Sequence, residues 1–131
     1  VENMPYLSYV NIFAENIVSL SSFYMNLFDF KEIVEIRSPI FRGVSTGKSA
    51  IGFNAYDAYE LLGVLEEKDA TGIKFLLNFD VDSECQVSML TEKATGLGAS
   101  LVKNPYKTYY NWYQSILKDP EGNLFRINTV L

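Results

Sequence analysis

Enzymes that move protons or bind transition metals at neutral pH lean heavily on histidine, and this chain has none. Serine and cysteine triads with an imidazole base are therefore excluded. Cys85 is the only cysteine; it cannot form an internal disulfide, and with no activating base in view it reads as a buried structural thiol. Gly43-Val44-Ser45-Thr46-Gly47-Lys48 evokes a phosphate loop, but its spacing departs from GxxxxGK and a strand followed by a turn explains it. Glu15 and Glu35 are the carboxylates nearest to a general acid or base. The prominent chemistry is aromatic instead. Tyr106, Tyr109, Tyr110, Trp112 and Tyr113 put five large rings into eight positions. Only alternate strand residues can face a core, so the surplus points to a pocket wall or a subunit interface. The plainer alternative makes Tyr106 and Tyr109 surface turn residues and packs Trp112 or Tyr113 against a helix.

The rest of the composition narrows the partners. Sixteen Asp and Glu outnumber eleven Lys and Arg for a formal charge of -5. Phosphate backbones and anionic membranes are held by clustered cations, so neither is expected as a partner. No apolar run reaches the length of a membrane helix. Val1-Glu2-Asn3-Met4-Pro5 shows no basic region followed by an apolar one, and with one unpaired cysteine the expected location is the cytoplasm.

The elements that must position these residues repeat once along the chain. Tyr6 to Ala14 reads as a strand, followed by a helix capped at Ser19 with Leu20, Phe23, Tyr24, Leu27 and Phe28 along one stripe. Strands are expected over Lys31 to Arg37, Phe41 to Thr46 and Ser49 to Asn54. The order then recurs. Gly72 to Val81 places Ile73, Phe75, Leu77 and Phe79 on one strand face, and Ser83-Glu84-Cys85-Gln86 is a capping box opening a helix with Val87, Leu90, Ala94 and Leu97. Ser100 to Val102, Asn111 to Lys118 and Leu124 to Val130 complete the second half. Its last two strands are joined by Asp119-Pro120-Glu121-Gly122-Asn123. Ala55 to Thr71 is a linker with a short helical piece.

The DPEGN turn and the apolar strand after it resemble the closing hairpin of the glyoxalase, bleomycin-resistance and extradiol-dioxygenase group, the vicinal oxygen chelate superfamily. Ser19 to Phe30 (SLSSFYMNLFDF) resembles the family's helix with its Phe-Tyr pair, Asp29 standing where Gly is usual, and Thr95 to Lys103 (TGLGASLVK) resembles a second family phrase. The resemblance implies an α+β domain over residues 1–131. It would consist of two tandem βαβββ modules, at 6–54 and 72–131 with linker 55–71, whose curved sheets enclose a cleft.

In metal-using relatives His and Glu line that cleft. Carried over position by position, the slots hold Tyr9, then Ile51 or Phe53, then Lys74 or Asn78, and finally Arg126. None is a strong metal ligand, so no metal and no cofactor are expected, and the enzyme reading is disfavoured. The resemblance implies instead metal-free binding of a small planar or aromatic organic ligand, anionic ones included, as in drug-sequestering antibiotic-resistance members. Phe53, Tyr110 and Trp112 would wall the ligand, Tyr9, Asn78, Arg126 and Asn128 would fix its polar edge, and two copies would form a homodimer. The competing readings are an atypical lyase, isomerase or dioxygenase of the same fold, and a structural dimer whose cleft its own side chains fill. Arg126 could equally neutralise a neighbouring carboxylate.

Overall fold

Two apolar patterns with different periods, one suited to strands and one to a helix, alternate twice in this chain, and each round closes on itself. The computed structural model describes residues 5–131. They divide into two compact units that meet in sequence between residues 70 and 71.

In the first unit β1 (Tyr9–Ala14), α1 (Ile17–Phe28), β2 (Lys31–Glu32), β3 (Phe41–Ser45) and β4 (Ala50–Ala55) give a sheet in the order β1-β4-β3-β2. β1 runs parallel to β4, with Asn11 beside Gly52, and the other pairs are antiparallel. α1 buries Leu20, Phe23, Tyr24 and Leu27 against Ile51 and Phe53, a stripe as the sequence spacing requires. Its cap is Asn16 rather than Ser19: the Asn16 side chain accepts from Ser19 N–H at 3.0 Å, so Ser19 sits in the first turn. Asp29 ends the helix at φ 59°, the left-handed conformation that favours Gly. The strand expected over Lys31 to Arg37 shortens to β2 and a 3-10 turn at Val34–Ile36, because Glu32 turns to bond Arg37. The linker holds α2 (Asp57–Leu61) and a second 3-10 turn.

In the second unit β5 (Leu77–Asp80), α3 (Glu84–Gly96), β6 (Ser100–Lys107), β7 (Trp112–Lys118) and β8 (Leu124–Val130) form a sheet ordered β5-β8-β7-β6. Here β5 is parallel to β8 and the rest antiparallel. The capping box forms: Ser83 Oγ accepts from Gln86 N–H at 3.2 Å, and Gln86 Oε1 accepts from Asp82 N–H at 2.8 Å. In the DPEGN turn, Asp119 Oδ1 accepts from the backbone of Glu121 and Asn123 at 2.9 and 3.0 Å, and Gly122 takes φ 89°. The strand expected over Gly72 to Val81 begins only at Leu77, and Ile73 and Phe75 stay exposed. β6 runs further than expected, to Lys107, with two register shifts on the way. Cys85 is exposed, not buried, in the first turn of α3. Among the described residues no helix is long and apolar enough to cross a membrane.

Candidate functional site

Each sheet has one face under its helix and one turned away from it, the open face, and strand alternation decides which residues belong to which. In the second unit α3 packs on β7 and β8. Thr91 Oγ1 meets Ser115 Oγ at 2.7 Å, so Ser115, Leu117, Phe125 and Ile127 lie under the helix and are wholly buried. Trp112 and Gln114 on β7, Arg126 and Asn128 on β8, and Asn78 and Asp80 on β5 therefore share the open face.

These residues form one hydrogen-bonded array. Register places Asn78 beside Arg126 and Asp80 beside Asn128. Arg126 Nε donates to Asn78 Oδ1 at 2.8 Å. Asn78 Nδ2 donates in turn to Asp80 Oδ1 at 3.1 Å, and Asn128 Nδ2 donates to the same oxygen at 3.0 Å. Gln114, only 2% exposed, donates Nε2 to Tyr106 Oη at 2.9 Å. Its Oε1 accepts two long bonds of 3.5 Å, from Arg126 Nη1 and Tyr110 Oη. The Arg126 guanidinium lies 5.1 Å from the Trp112 ring centre, a cation-π distance. Tyr110 packs edge-on against Trp112 at 5.3 Å, and Tyr109, 98% exposed, packs edge-on against Tyr110 at 4.9 Å.

Arg126 is thus held by neutral acceptors and an aromatic ring. Among the described residues it makes no ion pair; the two found both involve Glu32, with Arg37 at 2.6 Å and Arg42 at 4.0 Å. Neutralisation by an adjoining carboxylate is not what anchors it. Arg37 donates to Glu32 and holds that carboxyl below its ordinary range.

Of the sequence-derived site residues, the structure brings Asn78, Tyr110, Trp112, Arg126 and Asn128 together on this face. Lys74, the other option for the β5 slot, precedes the strand and is exposed. Tyr9 belongs to the first unit, half-buried on the open face of β1 beside Asn11 and Phe13. Phe53 is a correction: it is wholly buried under α1, its ring centre 5.8 Å from that of Tyr24, and Ile51 shares that side. The open-face positions of β4 are Ala50, Gly52 and Asn54. In the cluster 106–113, Trp112 faces the open side while Tyr113 turns to the helix, its Oη 3.3 Å from Ser88 Oγ.

Sequence reasoning missed Asp80, Gln114 and Asn11. Counting from the helix caps would have found two of them. Asn11 lies five residues before Asn16 and Asn78 five before Ser83, so they are equivalent, and Asp80 follows Asn78 by alternation. The Asn11 side chain accepts from Asn54 Nδ2 at 3.0 Å, as Asn78 does from Arg126.

The donor set does not fit a divalent metal. Arg126 presents a cation and Asn78 an amide whose oxygen is already engaged. No group of three or more His, Cys, Asp or Glu gathers among the described residues.

The sequence matches the Glyoxalase/Bleomycin resistance protein/Dioxygenase superfamily over residues 6–127. A glyoxalase/bleomycin resistance protein/dioxygenase family enzyme from Burkholderia phytofirmans PsJN is 59% identical, with 95% of this chain and 98% of that one covered and a TM-score of 0.93. The fold is shared with lactoylglutathione lyase from Agrobacterium tumefaciens at 12% identity, covering 97% and 95% of the two chains, TM-score 0.71. TioX from Micromonospora sp. ML1 shares it at 14% identity, covering 97% and 100%, TM-score 0.68. No curated protein matches the sequence.

Proposed function

The chain belongs to the Glyoxalase/Bleomycin resistance protein/Dioxygenase superfamily, and from that premise we propose that it captures a small planar or aromatic organic anion without a metal, as drug-sequestering members do. The observation that carries this reading is the state of Arg126. Its guanidinium is fixed by Asn78 and Gln114 and lies near Trp112, yet among the described residues no carboxylate pairs with it. A cation so fixed, beside an aromatic ring, suits a carboxylate or phosphate carried on a ring system. Capture would be stoichiometric: Trp112 and Tyr110 stack on the ligand and Arg126 takes its charge. The protein would act in the cytoplasm as a homodimer.

Trp112 is the only tryptophan, so its fluorescence reports on this face directly. Aromatic acids should quench or shift it saturably, and Trp112→Ala should weaken their binding by about 1–3 kcal/mol, the scale of aromatic stacking platforms. Emission that stays flat across a panel of planar acids would remove the capture reading.

A second reading, an enzyme of the same fold, draws on two observations. The Burkholderia protein, 59% identical, is described as a family enzyme. Asp80 also puts a carboxylate on the Arg126 face, where a proton acceptor would have to stand. Turnover of the methylglyoxal–glutathione adduct above roughly one per second, within the ordinary enzymatic range, would favour this reading over capture.

A further inference from the structure

The open face of the second sheet carries a cation and an anion that are kept apart. Asn78 stands between them, its Oδ1 accepting from Arg126 and its Nδ2 donating to Asp80. Arg126 and Asp80 form no ion pair within 4.0 Å. An exposed Asp and a half-buried Arg on neighbouring strands would ordinarily reach for each other; here one amide satisfies a side of each and occupies the line between them.

Asn128 is anchored on Asp80. Its side chain is 0% exposed and donates Nδ2 to Asp80, which leaves its own Oδ1 buried without a partner. Orphaning a buried amide oxygen is costly, and a hydrogen bond to a charged carboxylate is the kind strong enough to offset it. Both amides bond Asp80 through Oδ1, and no bond to Oδ2 is formed among the described residues. A carboxylate only accepts, and on this exposed side chain Oδ2 is free to take a donor.

We propose that the ligand is amphoteric: an anionic group bound by Arg126, and an N–H donor, in the strongest case a protonated amine, bound by Asp80. The planar body joining them would lie against Trp112. Two residues along β5 separate Asn78, which anchors Arg126, from Asp80, or about 7 Å of strand. That is about the reach of a ring bearing the two groups at opposite ends. Asn78 is a positioning residue in this scheme, because without it the two charges would collapse onto each other. The inference rests on the capture reading and adds the second polar end of the ligand.

The test compares 4-(aminomethyl)benzoate with 4-methylbenzoate, which has the same outline and carboxylate but no ammonium. Binding is followed by the Trp112 indole N–H and the Asn78 and Asn128 amide resonances of the full chain. The zwitterion should bind about tenfold more tightly, the lower end of a charge-assisted bond because Asp80 is exposed. Asp80→Asn should erase that preference, the two acids then binding alike. Should the two acids bind equally, or should the preference survive Asp80→Asn, the amphoteric ligand is ruled out while anion capture at Arg126 stands. If neither acid moves the indole resonance at millimolar concentration, both readings fall. The ligand comparison uses the unaltered protein, so the outcome does not depend on the variant folding.

Discussion

The first and second units share an element order, yet their open sheet faces have been put to opposite uses. In the first unit the face is filled by its own side chains. Phe13 stacks on Tyr59 of α2 at 3.9 Å, Ile36 reaches over Gly43, and Asn11 and Phe41 crowd Gly52. In the second unit the matching positions hold Asp80 where Phe13 was and Arg126 where Gly52 was, and a connected polar array replaces the packed rings. The helix sides differ in the reverse sense. α1 seals its sheet with Leu20, Phe23, Tyr24 and Leu27, whereas α3 offers Val87, Thr91 and Ala94 and leaves a groove of about 340 Å³ beside β6, partly lined by Ser88, Thr91 and Thr95. The first unit devotes its residues to packing; the second gives up packing on one side and displays charge on the other.

The largest effect expected of this asymmetry is on stability. Phe53→Ala should cost about 3–5 kcal/mol, because a wholly buried ring packed against Tyr24 leaves a cavity that α1 cannot close. Val87→Ala should cost about 2 kcal/mol, because α3 commits a smaller side chain to its sheet. Urea unfolding of both variants decides the matter, and equal costs would break the comparison.

Arg126→Ala should act on function and spare stability. Aromatic carboxylates should lose about 1.5–3 kcal/mol of binding, the range for a hydrogen bond to a charged group, while uncharged planar compounds lose far less. The unfolding midpoint should barely move, since Arg126 is held by neutral partners at a partly solvated face. Titration calorimetry with matched acid and amide ligands reads the difference, and a similar loss for both would make Arg126 a packing residue like those of the first unit.

The smallest effect sharpens the first unit's own electrostatics. The Arg37 hydrogen bond lowers the pKa of Glu32 in the folded state below its ordinary 4.5. A lowered folded value means stability that is present above the unfolded value and lost as pH falls through the folded one. Glu32→Gln should therefore be slightly less stable than the parent above pH 4.5 and converge with it on further acidification. Thermal melts across that window test the sign; a gap that widens toward acid would refute it.

What the sequence disclosed is what local chemistry controls. The α1 stripe, the Ser83 capping box and the Asp119 turn each depend on contacts within a few residues, and they form as the spacing requires. Strand lengths and faces depend on partners far along the chain. Ile73 and Phe75 alternate as a strand should, but β8 pairs only with Leu77–Asp80, so they remain outside. The resemblance points to Phe53 for the ligand face, but β4 turns it under α1; one residue of register reverses a side chain, and Gly52 and Asn54 hold the opposite face. Arg126 and Trp112 were legible because a turn motif and a dense aromatic run mark them. Asp80 and Gln114 were not, because cross-strand register gives an ordinary Asp and Gln their partners.

Gly52 sets the direction in which such a duplicated scaffold can change. A Cβ built there would strike Asn11 Oδ1 and come within 2.8 Å of the Phe41 ring, so a side chain at 52 requires the ends of both neighbours to move aside. A larger residue at 52 displaces the Asn54–Asn11 hydrogen bond and the Phe41 ring together. On this face a single substitution is therefore felt on three strands at once, β1, β3 and β4.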